Sequence, residues 1–541
     1  MTNYSCKQFK FKYTQYLILG IIAFIFGGVL LFTVRGNPGV SFDSISYLNA
    51  AENFRDNAAL YTTLYGDRVP LVHFPPLYSI FLAIISIILM NCSIQVAAGV
   101  LGAITLVVNL FLTGLILNKC RFSSRALYVA LIITGISDFF YIIHAQVFTE
   151  SLFLSFMLGG ILTISEYLKN NSTKFMYISA VLISCATLTR YVGLSLLITG
   201  IVSILLLQNK KTIKSRIKNS ILYFIIAFIP LIFWGIRNYL VAGSATNRTL
   251  SCHIIGLAHF KQFIRTILYI FIPDSLLNLL KIYIYHHQVI TALILFLLII
   301  LASYFSWKMI NSILKNKFVI IFSEIPQIVK VSSVFVLTYC TFLALSISFA
   351  DYTTPLSYRI MLPVFILIFP SSIAYIFDYC NKKSSGLRQY ILKFAMLALF
   401  ISYLFRFFCT ITDIYTNGLD FSSRQWQESY IISDVRQLPK SIKVYTNGGA
   451  GIYYQTGRIT QPIPKKLKNG AINPAYIKNL NILAELFKKN KAIIIYFKNI
   501  PSSLLPDVHE LSKEFNLKIT YEDDLGIILS HDNVYKKTGK Q

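Results

Sequence analysis

The sequence predicts an all-α polytopic membrane domain followed by a small external α/β domain, and three observations carry that prediction. Only 13% of the 541 residues are charged while 55% are hydrophobic, whereas soluble domains carry about 25% charged residues. The apolar residues gather into blocks of roughly 16 to 24, the length needed to cross a hydrocarbon core about 30 Å thick. From Phe421 onward the composition becomes that of a soluble domain. Strand-like runs (Ser441–Tyr445, Ala492–Phe497, Gly526–Ser530) alternate there with helix-like ones (Arg424–Arg436, Ile477–Lys489, Pro506–Phe515). The chain thus divides into a membrane part, 1–420, with a first external loop at 35–93, and a soluble part, 421–541. A large soluble protein would need a polar face on each buried helix, and these blocks have none.

Taken in order, the spans are approximately 16–34, 94–117, 125–143, 148–166, 174–189, 191–208, 219–237, 287–306, 331–349, 358–378 and 388–411, about eleven by length. The first is too long for a signal peptide and lacks a small-residue cleavage site, so it reads as a retained anchor. Leu77 to Met90 is also apolar. With it left out, Lys7–Lys12, Lys119–Arg125, Lys169–Lys174, Lys210–Lys218, Lys308–Lys317 and Lys382–Lys393 all fall on the cytoplasmic side, as the positive-inside bias requires. Counting it as a span would move every later basic run outside. It therefore reads as a juxtamembrane or re-entrant helix opened by Pro75-Pro76. Residues 174–208 are too long for one span, and Thr187, Thr189 and Arg190 mark the bend between two. An arginine at mid-membrane would cost several kcal/mol or more.

The formal net charge is +27, but the basic runs flank apolar blocks, where they orient the chain and meet anionic headgroups. Nucleic acid is not an indicated partner. The 8 cysteines show no CxxC spacing, which argues against both a zinc site and a disulfide framework.

With sidedness set, the polar residues of the outer face stand out. Asp43 lies just beyond the first span, with Tyr47 one helical turn later. Asp43 precedes an amphipathic helix, Ile45 to Phe54, so it can be either a helix cap or a catalytic carboxylate. Glu150 starts a span at the same boundary, and Arg190, Arg237 and Arg359 all sit at outer ends of spans, against the charge bias. Guanidinium forks suit phosphate oxygens, so such a set can grip a lipid-linked phosphate. Each arginine alone can equally snorkel or pair with Asp43, Glu150 or Asp351.

Six segments now line up in order: DSISYLNAAENF, FPPLYSIFLA, FTESLFL, LTRYVGL, IRNYLVAG and SYRIMLPV. Together they resemble the polytopic GT-C glycosyltransferases that use polyprenyl-phosphate sugars, especially bacterial relatives of protein O-mannosyltransferases and aminoarabinose lipid A transferases. The resemblance covers residues 10–410 and implies a hexosyl- or pentosyltransferase of a bacterial inner membrane. Its partners would be a polyprenyl-phosphate-linked sugar donor, membrane lipid, and an acceptor that is a lipid, glycan or protein. It places Asp43 at the catalytic centre and Glu150 at the second acidic position, with Arg190, Arg237 and Arg359 near the carrier phosphate. Tyr47 and His73 are site neighbours by position. Relatives often have Asp-Glu where this chain has Asp43-Ser44, which puts the second acid and any metal use in doubt. The resemblance makes no cofactor certain and leaves a divalent metal open, which would fall to Asp43 and Glu150.

In chemical terms, phosphate is the leaving group, so one carboxylate can serve the acceptor as general base while cations stabilise the departing phosphate. Two other classes stay open: a flippase or transporter of lipid-linked sugars, and a polysaccharide polymerase or ligase using Arg248, Lys261, Arg265 and Lys281 of a later loop. A flippase would favour inverted halves with broken helices at matching positions, which are not visible. In the tail, Asn447-Gly448-Gly449-Ala450-Gly451 follows a strand and can be a tight loop near a ligand or, more commonly for a lone glycine run, an ordinary turn. The tail itself reads as an acceptor-recognition element or a lid.

Overall fold

The computed structural model of the chain describes residues 2–64, 67–208, 210–248, 252, 255–271, 324–351, 354–381, 386–468, 471–489, 491–500 and 504–531. The span expected at 287–306, the run Lys308–Lys317 and Lys281 lie outside the described residues.

The chain opens with α1 (Thr2–Val34), which packs along α4 (Ile94–Lys119) through Leu19, Ala23 and Leu30, all fully buried. Between them lie α2 (Phe42–Asn57), a hairpin of β1 (Tyr61–Leu64) and β2 (Asp67–Pro70), and α3 (Leu77–Ile88). Pro76 is the N-cap of α3, whose 12 residues span about 18 Å at 1.5 Å per residue, too little to cross a bilayer. Tyr78, Leu82 and Ala83 of α3 instead bury against Ile45, Tyr47, Leu48 and Ala51 of α2.

Next come α5 (Ser124–Gly135) and α6 (Asp138–Ala145), one expected span bent by 55° at a two-residue break. Asp138 opens α6, where its carboxylate accepts Nε and Nη2 of Arg406 at 3.0 and 2.6 Å and the Tyr269 hydroxyl at 2.7 Å. The bend brings an acid into the bundle only because its partners are waiting there.

The pair α7 (Thr149–Asn170) and α8 (Thr173–Thr189) runs up and down and leads through a one-turn 3-10 segment, Tyr191–Gly193, into α9 (Leu194–Leu207). Arg190 has extended backbone at that break (φ −148°, ψ 135°), as the polar group in mid-run suggests. Gly193 is required there: a Cβ would sit 2.7 Å from the Thr187 backbone nitrogen. Then follow α10 (Ile213–Ala242), α11 (Leu257–Phe271), α12 (Gln327–Phe349), α13 (Tyr358–Cys380) and α14 (Leu387–Asn417). Among the described residues, 7 helices are long and apolar enough to cross a membrane, or 8 with the bent pair; α8 and α9 are shorter apolar helices.

Beyond α14 lie α15 (Arg424–Gln427), α16 (Tyr430–Gln437), β3 (Lys443–Thr446), α17 (Gly449–Thr456), β4 (Gln461–Pro462), a small hairpin of β5 (Leu467–Lys468) and β6 (Ala471–Ile472), α18 (Tyr476–Lys488), β7 (Ala492–Phe497), α19 (Val508–Phe515), β8 (Lys518–Glu522) and β9 (Gly526–Ser530). The five-stranded sheet has the order β4-β3-β7-β9-β8. β3 is parallel to both neighbours, and β9 is antiparallel to β7 and β8. Every residue of β7 is buried because both faces of the sheet are covered: Ile493, Ile495 and Phe497 join Trp426 and Ile431 on one side, Ile494 joins Leu483 and Phe515 on the other. That explains the unbroken apolar run AIIIYF.

One sequence reading is corrected here. Asn447–Gly451 is a strand-to-helix connection, and its last three residues already belong to α17. Its glycines serve packing: a Cβ on Gly448 would meet the Phe497 ring at 2.2 Å.

Candidate active site

Three extended segments far apart in sequence meet at one end of the bundle. Gly39 pairs with Gln146 and Val40 with Asp420, through Gly39 N–H to Ala145 O (2.9 Å), Val147 N–H to Gly39 O (2.8 Å) and Phe421 N–H to Val40 O (2.9 Å). This joint places the start of α2 directly beside the start of α7. Ser41 is the N-cap of α2, and its N–H donates to Ser44 Oγ at 3.0 Å. Ser44, fully buried, donates in turn to Val147 O at 2.9 Å. The cap reading for Asp43 therefore fails. Asp43 sits inside the first turn, where the helix dipole favours its charge but no capping role is left for it. Ser44, the departure from the Asp-Glu pattern, is the residue that pins α2 to the segment leading into Glu150.

Asp43, Glu150, Arg190 and Arg359 form one cluster. Glu150, whose side chain is 3% exposed, accepts Arg190 Nη1 at 2.5 Å and Arg359 Nε on the same oxygen. Arg359 also sends Nη2 to Asp43 Oδ2 at 3.1 Å, so a single fork spans both carboxylates. Lysine could not make that span. Thr149 Oγ1 accepts from Arg190 Nη1 at 2.9 Å, and the Phe148 ring lies 3.9 Å beneath the Arg359 guanidinium. These contacts leave over Nη1 of Arg359 and the Nε and Nη2 groups of Arg190. Arg190 reaches the cluster because the α8–α9 break turns it out of the helix.

Tyr47 is 2% exposed, edge-on to the Phe74 ring (4.8 Å) and the Tyr78 ring (5.4 Å). Burial, then the Asp43 and Glu150 carboxylates, push its hydroxyl well above the ordinary tyrosine range, so it stays protonated beside the cluster. His73 is exposed and edge-on to Phe74 at 4.7 Å. Partial desolvation and nearby Arg248 lower its pKa from the ordinary value, against the opposing pull of Asp351 and Asp43.

Arg237 is engaged elsewhere. Its Nη1 donates to Leu71 O (2.8 Å) and Asn238 Oδ1 (3.0 Å), its Nη2 to Leu60 O (3.1 Å), and its guanidinium lies 4.9 Å from the Trp234 ring. It clasps the ends of the β1–β2 hairpin region. Arg248 pairs with Asp351 at 2.9 Å and lies 5.5 Å over the Tyr191 ring. Sequence reasoning missed the parts played by Thr149, Phe148 and the Arg248–Asp351 pair; the adjacency of Thr149 and Phe148 to Glu150 was the available signal.

The cluster carries two negative and two positive side chains and is formally neutral. The donor set does not fit a divalent ion. Both carboxylates already hold guanidinium groups, and among the described residues no three His, Cys, Asp or Glu side chains group to ligate a metal. What the arrangement offers is one partly exposed carboxylate, Asp43, beside spare guanidinium donors.

Residues 73–234 match the sequence model of the dolichyl-phosphate-mannose-protein mannosyltransferase family. The fold is similar to that of ArnT from Cupriavidus metallidurans bound to undecaprenyl phosphate, with a TM-score of 0.53 at 10% identity over 98% of this chain and 100% of that one. The apo form of ArnT gives 0.52 at 9% identity over 96% and 98%. The archaeal oligosaccharyltransferase AglB from Archaeoglobus fulgidus gives 0.50 at 13% identity, over 90% of this chain and 70% of that one. Among curated protein sequences none matches. The fold likeness bears out the expected architecture, a helical membrane domain with a small C-terminal sheet, and the family model over residues 73–234 agrees with the resemblance drawn from the sequence.

Proposed function

We propose that this protein transfers a sugar from a polyprenyl-phosphate carrier to an acceptor at the non-cytoplasmic face of the membrane, with Asp43 as general base. The observation that carries the reading is the Arg359 fork joining Asp43 to Glu150 at the end of the bundle where α2 and the C-terminal domain meet. The charge bias of the loops puts that end outside.

In the reaction the acceptor hydroxyl or amine attacks the anomeric carbon. The bond from that carbon to the carrier phosphate oxygen breaks, and its electron pair leaves with the phosphate. Asp43 takes the proton lost by the acceptor. Arg190 and Arg359 supply their spare N–H groups to the phosphate as its charge grows. Those same arginines neutralise Glu150, whose role is to hold them at one level. A phosphate binding here competes with Asp43 for Arg359, so donor binding loosens the Asp43 ion pair and frees the carboxylate to act as base.

The test is transfer by the full-length protein reconstituted with polyprenyl-phosphate-linked sugars. Asp43→Asn keeps the shape and removes the base, and its turnover should fall by roughly 10²–10⁴ while the donor still binds. Wild-type turnover in both Asp43→Asn and Asp43→Ala would sink the assignment.

A further inference from the structure

A cavity of about 440 Å³ lies between α2 and the C-terminal domain, bounded by Phe42, Ile45, Ser46 and Thr63 on one side and by the β3–α17 connection and residues 459–465 on the other. Resting on the transferase reading, we propose that this cavity is the acceptor site and that the acceptor is a carbohydrate.

Position is the first argument. Phe42, Ile45 and Ser46 lie on one face of the first turns of α2, and Asp43 projects from the adjacent face to Arg359. The rim of the cavity and the proposed base therefore share the first turn of α2. The opposite wall is the carboxyl end of β3, where Thr446, Asn447, Gly449 and Ala450 line the space. From β3 the chain leaves through α17 to β4 on one side of the sheet, and β7, on the other side of β3, leads onward through α19. Open α/β sheets bind ligands at such divergence points. Asn447 closes the gap beneath the cavity by exchanging two hydrogen bonds with the Phe497 backbone, at 2.9 and 2.8 Å.

The lining chemistry is the second. Its polar side chains are hydroxyls (Ser46, Thr63, Thr446, Thr460 and the phenol of Tyr453) and two amides (Asn447, Gln461) with one cation, Lys465, and no carboxylate among the described lining residues. Hydroxyls both donate and accept, as sugar hydroxyls do. Phe42 is 65% exposed at the rim and Tyr453 lies within, and aromatic faces attract the partly positive C–H groups on the flat side of a sugar ring. Phe42 is open to stack on a ligand seated there. The volume falls within the range of small-ligand pockets, about 300–1,000 Å³.

A peptide acceptor fits less well. Extended peptides add to an open sheet edge, and the edge beside this cavity, β4, is 2 residues long and contains Pro462, which cannot donate to a ladder.

Hydrogen exchange of the full-length protein in lipid nanodiscs tests this with defined probes: neutral hexose tetrasaccharides, their uronic-acid counterparts, and a serine/threonine-rich peptide. Saccharides should slow exchange at 446–463 and in the first turn of α2, and the peptide should not. Phe42→Ala should weaken saccharide binding roughly tenfold or more, and Phe42→Trp should restore it. Protection by the peptide alone, by no saccharide in the panel, or undiminished in Phe42→Ala overturns the proposal. The readout needs no donor cleavage. Saccharide protection in a protein that cleaves no polyprenyl-phosphate-linked sugar, hexose or pentose, would refute the transferase reading and leave the cavity a carbohydrate site with no acceptor role.

Discussion

Glu150→Gln is the substitution that probes the cluster most sharply. It keeps the volume and one acceptor oxygen but removes the charge that two guanidinium groups share. In the wild type two negative charges offset two positive ones; in the variant Asp43 alone faces Arg190 and Arg359. Removing one partner of a buried ion pair costs about 3–5 kcal/mol. Glu150 is 3% exposed, but its arginines are 21% and 24% exposed, so water relieves part of the excess and the lower end, ~3 kcal/mol, is expected. Asp43→Asn should cost much less, ~1 kcal/mol or below, because Asp43 is 34% exposed and Arg359 keeps Glu150. Thermal unfolding in detergent, followed by loss of the monodisperse peak, reads the ranking. Adding Arg190→Gln to Glu150→Gln removes one unpaired cation and should recover at least half of the loss, a coupling that a double-mutant cycle isolates. If Glu150→Gln proves no more destabilising than Asp43→Asn, or if the double variant is simply additive, Glu150 does not hold the arginines together.

Four further outcomes follow from the geometry. Arg237→Gln should raise proteolytic cleavage around residues 58–72, since it releases the Leu60 and Leu71 carbonyls, while leaving donor affinity within about twofold of wild type. Gly193→Ala should cost about 1–3 kcal/mol and lower transfer, because its Cβ meets the Thr187 and Ala186 backbone at 2.7 and 2.8 Å and displaces Arg190. Transfer measured with excess EDTA should match the untreated rate, because both carboxylates are held by arginines. Arg406→Met should destabilise by about 3–5 kcal/mol and the double variant Asp138→Leu, Arg406→Met by much less, since the pair is 9% and 6% exposed; thermal unfolding checks both.

What could be read from the sequence, and what could not, separates by the range of the forces involved. The expected spans that fall on described residues, the α8–α9 break at Arg190 and strands β7 and β9 follow from local hydropathy and pattern, and helices and strands appear where those patterns put them. Asp43, Glu150, Arg190 and Arg359 share an end of the bundle because charge sidedness orders the spans. Sidedness does not say which way an arginine turns at that level. Arg237 looks equivalent to Arg359 in sequence but finds the Leu60 and Leu71 carbonyls, which no local pattern reveals. The bend between α5 and α6 was hidden for the same reason: Ser137-Asp138 inside an apolar window becomes tolerable only through Arg406, 268 residues away. The β8 strand, KITYE, has no buried residue, so it carries little of the hydrophobic signal that marks a strand.

The joint at residues 39–40, 146 and 420 bears on how the C-terminal domain can be tested. Removing everything beyond Phe421 looks like a clean way to separate acceptor recognition from donor chemistry. Yet Ser422 Oγ donates to Pro38 O at 2.9 Å, Asn37 Nδ2 donates to Ser422 O at 3.2 Å, and Gln455 donates to Phe421 O at 2.6 Å. The first two contacts hold the residues that lead into Ser41 and Asp43; the third holds Phe421, whose N–H pairs with Val40 O. A chain cut there loses the clamp on the start of α2, and Asp43 loses its fixed distance from Arg359. Such a truncation should therefore depress donor cleavage by water as well as transfer to the acceptor. A loss confined to acceptor transfer would mean that the Gly39–Gln146 pairing and the Ser44–Val147 hydrogen bond alone suffice to hold Asp43. Point substitutions inside the cavity leave the clamp intact, so they test acceptor binding without disturbing the base.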